Sequence, residues 1–269
     1  MNKTLIDIQQ VTLSYGEKHI FSNLNIQIPK GKIIAILGPS GCGKTSFLRL
    51  ISQLIFATEG HIYFEGTDLT SLSEAKMQGF RRKMGFMFQS NALFTDLNVY
   101  ENIAYPIRVH SNLPEDLIRS ITLMKLHMVG LRGAYLKMPH ELSGGMARRV
   151  ALARSLALDP CLMLYDEPFT GQDPIGMRVL LNLVKRFNDC LNMTSIIVSH
   201  DVDEVCQIAD YVILFEAGQI LAQGTPDELK NSEHVKVNQF MKGRLEGEMP
   251  FHYPAQSYYK DLLDEPVAP

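Results

Sequence analysis

A short apolar run, Lys32 to Leu37, breaks into Gly38-Pro39-Ser40-Gly41-Cys42-Gly43-Lys44-Thr45, and a helical pattern from about Thr45 to Phe56 follows at once. This junction limits the possible folds more than any other stretch. A continuous apolar strand is buried on both faces, so it belongs inside a sheet covered by helices. Glycines at this spacing before Lys-Thr form a P-loop when a strand precedes them and a helix follows, and both conditions hold. The glycines let backbone N–H groups turn inward around a β-phosphate, and the helix start adds partial positive charge. Lys44 then neutralises β/γ oxygens, and the Thr45 hydroxyl suits Mg²⁺. A Gly-rich turn without a ligand is the bland alternative. Cys42 reads as a small filler, with a redox-sensing thiol as the minority reading.

The rest of the chain supplies a sheet around that strand. Leu5 to Leu13 and Ile20 to Ile28 alternate apolar and polar residues about the Tyr15-Gly16-Glu17 turn, which predicts an antiparallel hairpin. His61 to Glu65 is a further strand. From Gln89 to about Asp159 helical periodicity dominates, punctuated by Pro106, Pro114 and Pro139, and this predicts a helical subdomain at about 90–159. Strands return at Cys161 to Tyr165, Thr194 to Ser199 and Tyr211 to Phe215, separated by helices at about Pro174 to Leu191 and Val202 to Ile208. Such alternation predicts a parallel α/β sheet. The expected organisation is one domain, 1–242, and a tail, 243–269, rich in Pro, Tyr and acids and without a period.

Two apolar strands end in polar groups that suit a phosphate site. Cys161-Leu162-Met163-Leu164-Tyr165 delivers Asp166 and Glu167 to the sheet edge that carries the P-loop. Asp166 suits the Mg²⁺ shell, and Glu167 is placed to orient or deprotonate an attacking water. Acids that simply end a strand are the alternative. Val198-Ser199-His200-Asp201 repeats the design, with His200 able to donate to a γ-phosphate or to serve as a loop residue. Leu142-Ser143-Gly144-Gly145-Met146 precedes a helical run from about Ala147 to Leu158, so Ser143 fits an N-cap and the glycines free amides for a second anion-binding helix start.

Charge and cysteine usage exclude other classes. A net charge of −3 with scattered Lys and Arg makes no field for a polyanion, so a nucleic-acid partner is disfavoured. Cys42, Cys161, Cys190 and Cys206 lack zinc or redox spacing and read as reduced residues of a cytosolic protein. No charged-then-apolar leader opens the sequence, and its apolar runs stop short of the roughly 20 residues a spanning helix needs. Service to a membrane is expected from outside the bilayer.

In this order, P-loop, signature, Walker B acids and switch histidine resemble the ATP-binding-cassette family from roughly Leu5 to Met241. The resemblance implies a P-loop NTPase cassette with a RecA-like parallel-sheet core, an antiparallel β subdomain and an inserted helical subdomain. It implies ATP and Mg²⁺ as cofactors, cradled by Gly38, Pro39, Ser40, Gly41, Cys42, Gly43, Lys44, Thr45 and Ser46. Thr45, Gln89 and Asp166 become the Mg²⁺ side, Glu167, His200 and Lys44 the catalytic set, and Tyr15 the adenine-stacking aromatic, against a plain turn tyrosine. Ser143, Gly144 and Gly145 would complete the ATP site of a second copy of the chain, with Asp173 in the loop between the sites.

A narrower likeness lies in Phe88-Gln89-Ser90-Asn91-Ala92-Leu93-Phe94 through Pro106, which is similar to the ATPases of the Mla phospholipid-trafficking transporters of Gram-negative bacteria. Met146 in place of the family's usual Gln, and Thr170-Gly171-Gln172-Asp173 in place of Ser-Ala-Leu-Asp, match that branch. The likeness implies permease subunits, a small STAS-domain subunit and a periplasmic lipid-binding subunit as partners, and a peripheral location on the cytoplasmic side of the bacterial inner membrane. Importers of other cargo and soluble cassette proteins without a transport role are the alternatives. Phe94, Leu97, Val99 and Tyr100 read either as core or as a groove for a cytoplasmic helix of the membrane subunit. Tail residues Phe251, Tyr253, Tyr258, Tyr259, Leu262 and Leu263 suggest docking on the neighbouring ATPase, against disorder.

Overall fold

The computed structural model describes residues 3–16, 18–245 and 247–249 and divides the chain into two compact units, up to residue 226 and from 227 onward. The tail residues singled out above for docking lie outside the described residues.

In the first unit β1 (Thr4–Tyr15), β2 (Lys18–Pro29), β3 (Ile33–Leu37), α1 (Lys44–Ile51), β4 (Glu59–Phe64), β5 (Thr67–Asp68), α2 (Glu74–Arg81) and β6 (Met84–Met87) come first. The helices α3 (Val99–His110), α4 (Glu115–Met128) and α5 (Gly144–Ser155) follow. Then come β7 (Leu162–Asp166), α6 (Pro174–Leu191), β8 (Thr194–Val198), α7 (Val202–Cys206), β9 (Tyr211–Glu216) and β10 (Gln219–Gly224). The second unit carries α8 (Pro226–Lys230), which begins at the boundary, and α9 (Val235–Met241). There the Gln239 side chain receives the Met249 N–H at 2.8 Å and donates to the Met249 carbonyl at 3.4 Å, turning the start of the tail back on α9.

The hairpin is antiparallel, as its alternation predicts, with Ile6 opposite Ile28 and Ile8 opposite Ile26. It belongs to a sheet of order β2-β1-β4-β5. The other sheet runs β10-β9-β3-β8-β7-β6, parallel from β9 to β6 with β10 antiparallel at the edge. Every residue of β3, β7 and β8 is buried, which is why these strands read as apolar runs rather than alternations. Ile36 and Asp166 both stand opposite Val198, so the residues after β3, β7 and β8 emerge at one sheet edge.

An aromatic trio joins the layers. Phe21 of β2, Phe47 of α1 and Phe215 of β9 are fully buried, with ring centroids 5.4–6.3 Å apart. Phe47 lies on the helix that opens at the P-loop, so its packing fixes that helix against both sheets. Phe47→Ala should cost about 3–5 kcal/mol and lower the melting temperature by on the order of 10 °C. Calorimetry of the full chain checks this, and a loss below about 1 kcal/mol would remove the trio as the joint.

The segment at 90–159 is helical. Asn98 caps α3 by accepting the Glu101 N–H at 2.8 Å. Buried Asn102 grips the preceding loop, receiving the Phe94 N–H at 2.9 Å and donating to the Leu97 carbonyl at 2.8 Å. Pro106 does not punctuate the helices as its position suggests. It lies inside α3, where its ring takes the place of one backbone donor. The signature helix begins at Gly144, so both glycines lie in its first turn rather than ahead of it. Sequence periodicity also missed β6, α2 and β10. Met84-Gly85-Phe86-Met87 is too short for a period, and its strand state comes from pairing with β7. Among the described residues no helix is long and apolar enough to cross a membrane.

Candidate active site

The P-loop closes over the start of α1. Gly38 has φ +149° and lies so near β9 that an added Cβ would stand 2.4 Å from the Phe215 carbonyl and 2.7 Å from Cys42 Sγ. Only glycine fits there. Gly43, in left-handed conformation, precedes α1 without any side-chain cap, which leaves the first-turn N–H groups, that of Ser46 among them, to the loop. Lys44 is buried, and its ammonium donates to the Gly38 carbonyl at 2.7 Å and the Pro39 carbonyl at 3.1 Å. Ser40 and Gly41 stand exposed at the crest. Cys42 joins the hydrophobic core, and burial pushes its thiol up, which speaks for the filler reading and against a reactive thiolate.

At the end of β7 the acids meet the P-loop. The Thr45 hydroxyl donates to Asp166 Oδ1 at 2.9 Å. Burial pushes the Asp166 carboxyl above the usual range, while the Thr45 hydroxyl opposes the shift and Glu167 adds to it. A buried acid beside a hydroxyl is a site that gains from a cation. Glu167 follows in left-handed conformation, φ +48°, with its N–H donated to the Val198 carbonyl at 3.0 Å. Such a conformation costs a non-glycine residue free energy and recurs at functional sites. Its Oε2 lies 2.8 Å from His200 Nδ1, and the Thr170 hydroxyl donates to the same oxygen at 3.5 Å. The histidine is about half exposed and the carboxylate nearly buried.

The signature forms a separate group. Ser143 caps α5, its hydroxyl accepting the Met146 N–H at 3.3 Å. A Cβ added to Gly145 would stand 3.3 Å from Gln172 Oε1, so this glycine also makes room for the loop before α6. Asp173 caps α6, receiving the Ile175 and Gly176 N–H groups at 2.9 and 3.0 Å, and these donors hold its carboxyl below the usual range. Tyr15, at the end of β1, is 51% exposed. Gln89 is exposed, and its carbonyl accepts from Arg148 at 2.6 Å.

Thus the structure joins Lys44, Thr45, Asp166, Glu167 and His200 at one edge, while no hydrogen bond among the described residues ties Ser143, Gly144 or Gly145 to the P-loop. Sequence reasoning missed Thr170 and Arg148. Their contacts run through backbone carbonyls and a hydroxyl, which leave no spacing signal in a sequence.

The family model described as ABC transporter matches residues 21–170. The chain is 53% identical over 264 residues to the "Intermembrane phospholipid transport system ATP-binding protein MlaF" of Haemophilus influenzae, covering 98% of this chain and 100% of that one. The protein of the same name from Escherichia coli is 48% identical, with 96% of each chain covered. Among solved structures, a dimeric post-hydrolysis state of an ATP-binding cassette bound to ADP and Pi superposes with a TM-score of 0.76 at 29% identity, covering 82% of this chain and 99% of that one. The P-loop, the strand-end acids and the match over more than half the sequence together make this chain a member of the ABC transporter family, as an ATP-hydrolysing cassette.

Proposed function

We propose that this chain is the ATPase subunit of a phospholipid transporter, peripheral on the cytoplasmic side of the bacterial inner membrane, and that it works as a homodimer with its permease subunits. The observation that carries the reading is the convergence of Thr45 on Asp166 and of His200 on Glu167 beside the P-loop, in a chain whose relatives bear the name of a phospholipid transport system. Lys44 and the first-turn amides of α1 hold the phosphates, and Tyr15 stacks on adenine. Glu167 orients the water and takes its proton. His200 spends Nδ1 on Glu167 and keeps Nε2 for a γ-phosphate oxygen. Mg²⁺ fits the donors present, since it takes hard oxygens from one or two protein groups and the rest from phosphates and water. Thr45 and Asp166 would hold it, with Gln89 on the same side, and when bound it neutralises phosphate charge.

Ser143, Gly144 and Gly145 serve the nucleotide of the opposing copy, with Asp173 between the sites. The dimeric state of the solved cassette supports this arrangement, as does the separation of the signature from the P-loop. ATP then closes the dimer, and loss of phosphate reopens it. A STAS-domain subunit and a periplasmic lipid-binding subunit complete the proposed assembly, and no nucleic acid takes part.

The membrane contact is assigned to a groove of about 740 Å³ between the helices and the sheet, lined by Phe86, Phe88, Phe94, Tyr105 and Val109 with Arg82 and Arg154 at hand. Val99 is fully buried, whereas Phe94 and Tyr105, whose ring centroids lie 5.2 Å apart, remain 46% and 47% exposed. The apolar segment therefore supplies both core and groove. The double substitution Phe94→Ser/Tyr105→Ser should keep ATP binding and weaken copurification with the membrane subunits by about tenfold or more, since two aromatic anchors at an interface are worth roughly 2 kcal/mol or more. The purified complex in proteoliposomes should move phospholipid between bilayers only with ATP. A complex that ignores phospholipid while hydrolysing ATP for another cargo would overturn the assignment.

A further inference from the structure

Arg148 lies in the second turn of α5 and is only 5% exposed. Its guanidinium reaches two loops at once. One arm, Nη1, donates to the Gln89 carbonyl at 2.6 Å and to the Phe88 carbonyl at 3.5 Å, while the other, Nη2, donates to the Thr170 carbonyl at 2.9 Å. Among the described residues no carboxylate pairs with it, and its buried Nε has no partner. A cation held only by carbonyls, with one N–H unsatisfied, is a poor stabiliser; burial indeed lowers its pKa. What it supplies is direction, because a planar fork fixes two acceptors relative to each other and to the helix that carries it.

The loops it joins are the ones the proposed cycle must connect. The first borders the membrane groove through Phe88 and passes through Asn91 and Ala92, both left-handed at φ +61° and +48°. Arg154, six residues farther along α5, donates to the Asn91 and Ala92 carbonyls at 2.9 and 2.6 Å, with no hydrogen bond to the second loop among the described residues. The second loop carries Thr170, whose hydroxyl reaches Glu167, and runs on to Asp173. Thr170 links the two sides through its own backbone, its carbonyl accepting from Arg148 and its hydroxyl facing Glu167 at 3.5 Å.

We infer that Arg148 is a positioning residue that ties the Gln89 loop to the 170–173 loop across the start of the signature helix, so that a shift on the membrane-facing side is transmitted to Glu167. The inference rests on the proposed function for its consequence in turnover; the tie itself is a property of one chain.

The test uses the full-length chain with Arg148→Lys, which keeps charge but loses the fork, and Arg148→Met, which keeps length alone. Hydrogen exchange without nucleotide should rise together at residues 88–92 and 170–173 in both variants, with the interior of α5 unchanged. In Arg154→Lys it should rise at 91–92 only. In the complex with its membrane subunits, kcat should fall about 2–30-fold, the size of effect that residues lying between coupled sites ordinarily have, with ATP affinity within twofold of the parent. Independent exchange at the two loops, or unchanged exchange and kcat, would overturn the tie. A uniform rise through α5 with a lower melting temperature would reduce Arg148 to a packing residue. If ATP added to a Glu167→Gln chain fails to protect residues 143–146, the two-copy nucleotide site fails, while the nucleotide-free exchange still decides the tie.

Discussion

Glu167→Gln is expected to lower ATP turnover by about 10²–10⁴-fold, the usual contribution of a positioned general base, while ATP stays bound. The amide keeps the size of the carboxylate and can still meet His200 Nδ1, which lies 2.8 Å away in the parent, but it takes no proton from water. The neighbouring Asp166 is untouched, so the cation side of the site remains. The strained backbone at φ +48° is retained as well, because Gln carries the same Cβ as Glu. With hydrolysis stalled and ATP present, the proposed dimer should accumulate. Phosphate-release kinetics and light scattering with and without ATP read both effects. Turnover within a few-fold of the parent would place the water elsewhere.

Lys44→Met acts one step earlier, on binding. The ammonium is to serve the β/γ oxygens, and charge-assisted hydrogen bonds of this kind contribute about 1.5–3 kcal/mol each. Losing two of them weakens nucleotide affinity by about 10²-fold or more. Met matches the length of the apolar stem, which is already buried, so packing around α1 should change little. The variant does give up the bonds to the Gly38 and Pro39 carbonyls, and a thermal scan without nucleotide measures that loss separately. Nucleotide titration by calorimetry gives the affinity. Equal affinity in variant and parent would take Lys44 out of the phosphate site. The two variants should part cleanly: one binds and stalls, the other binds far more weakly.

Local chemistry made much of this legible in advance. Glycine spacing before Lys44-Thr45 needs no tertiary information, because the backbone conformations it permits are properties of the residues themselves. The same holds for Ser143 as an N-cap, a preference set within one turn, and for β3, β7 and β8, whose burial on both faces writes itself as an unbroken apolar run. Short or paired elements were not legible. β6 becomes a strand through β7, a neighbour distant in sequence, β10 through its hairpin with the preceding β9, and Pro106 is carried inside α3 despite its lost donor.

What the sequence alone determined is the inventory: a phosphate loop between strand and helix, acids and a histidine at strand ends, and a second helix start with free amides. Only the tertiary structure decided who meets whom. Thr45 and Asp166, separated by 121 positions, share a hydrogen bond because parallel strands in register deliver their ends to one edge. Arg148 became visible only there, since a guanidinium that bonds to backbone carbonyls recognises positions in space and not side chains. Periodicity reports which face of an element is buried. It carries no record of which carbonyl lies across from it.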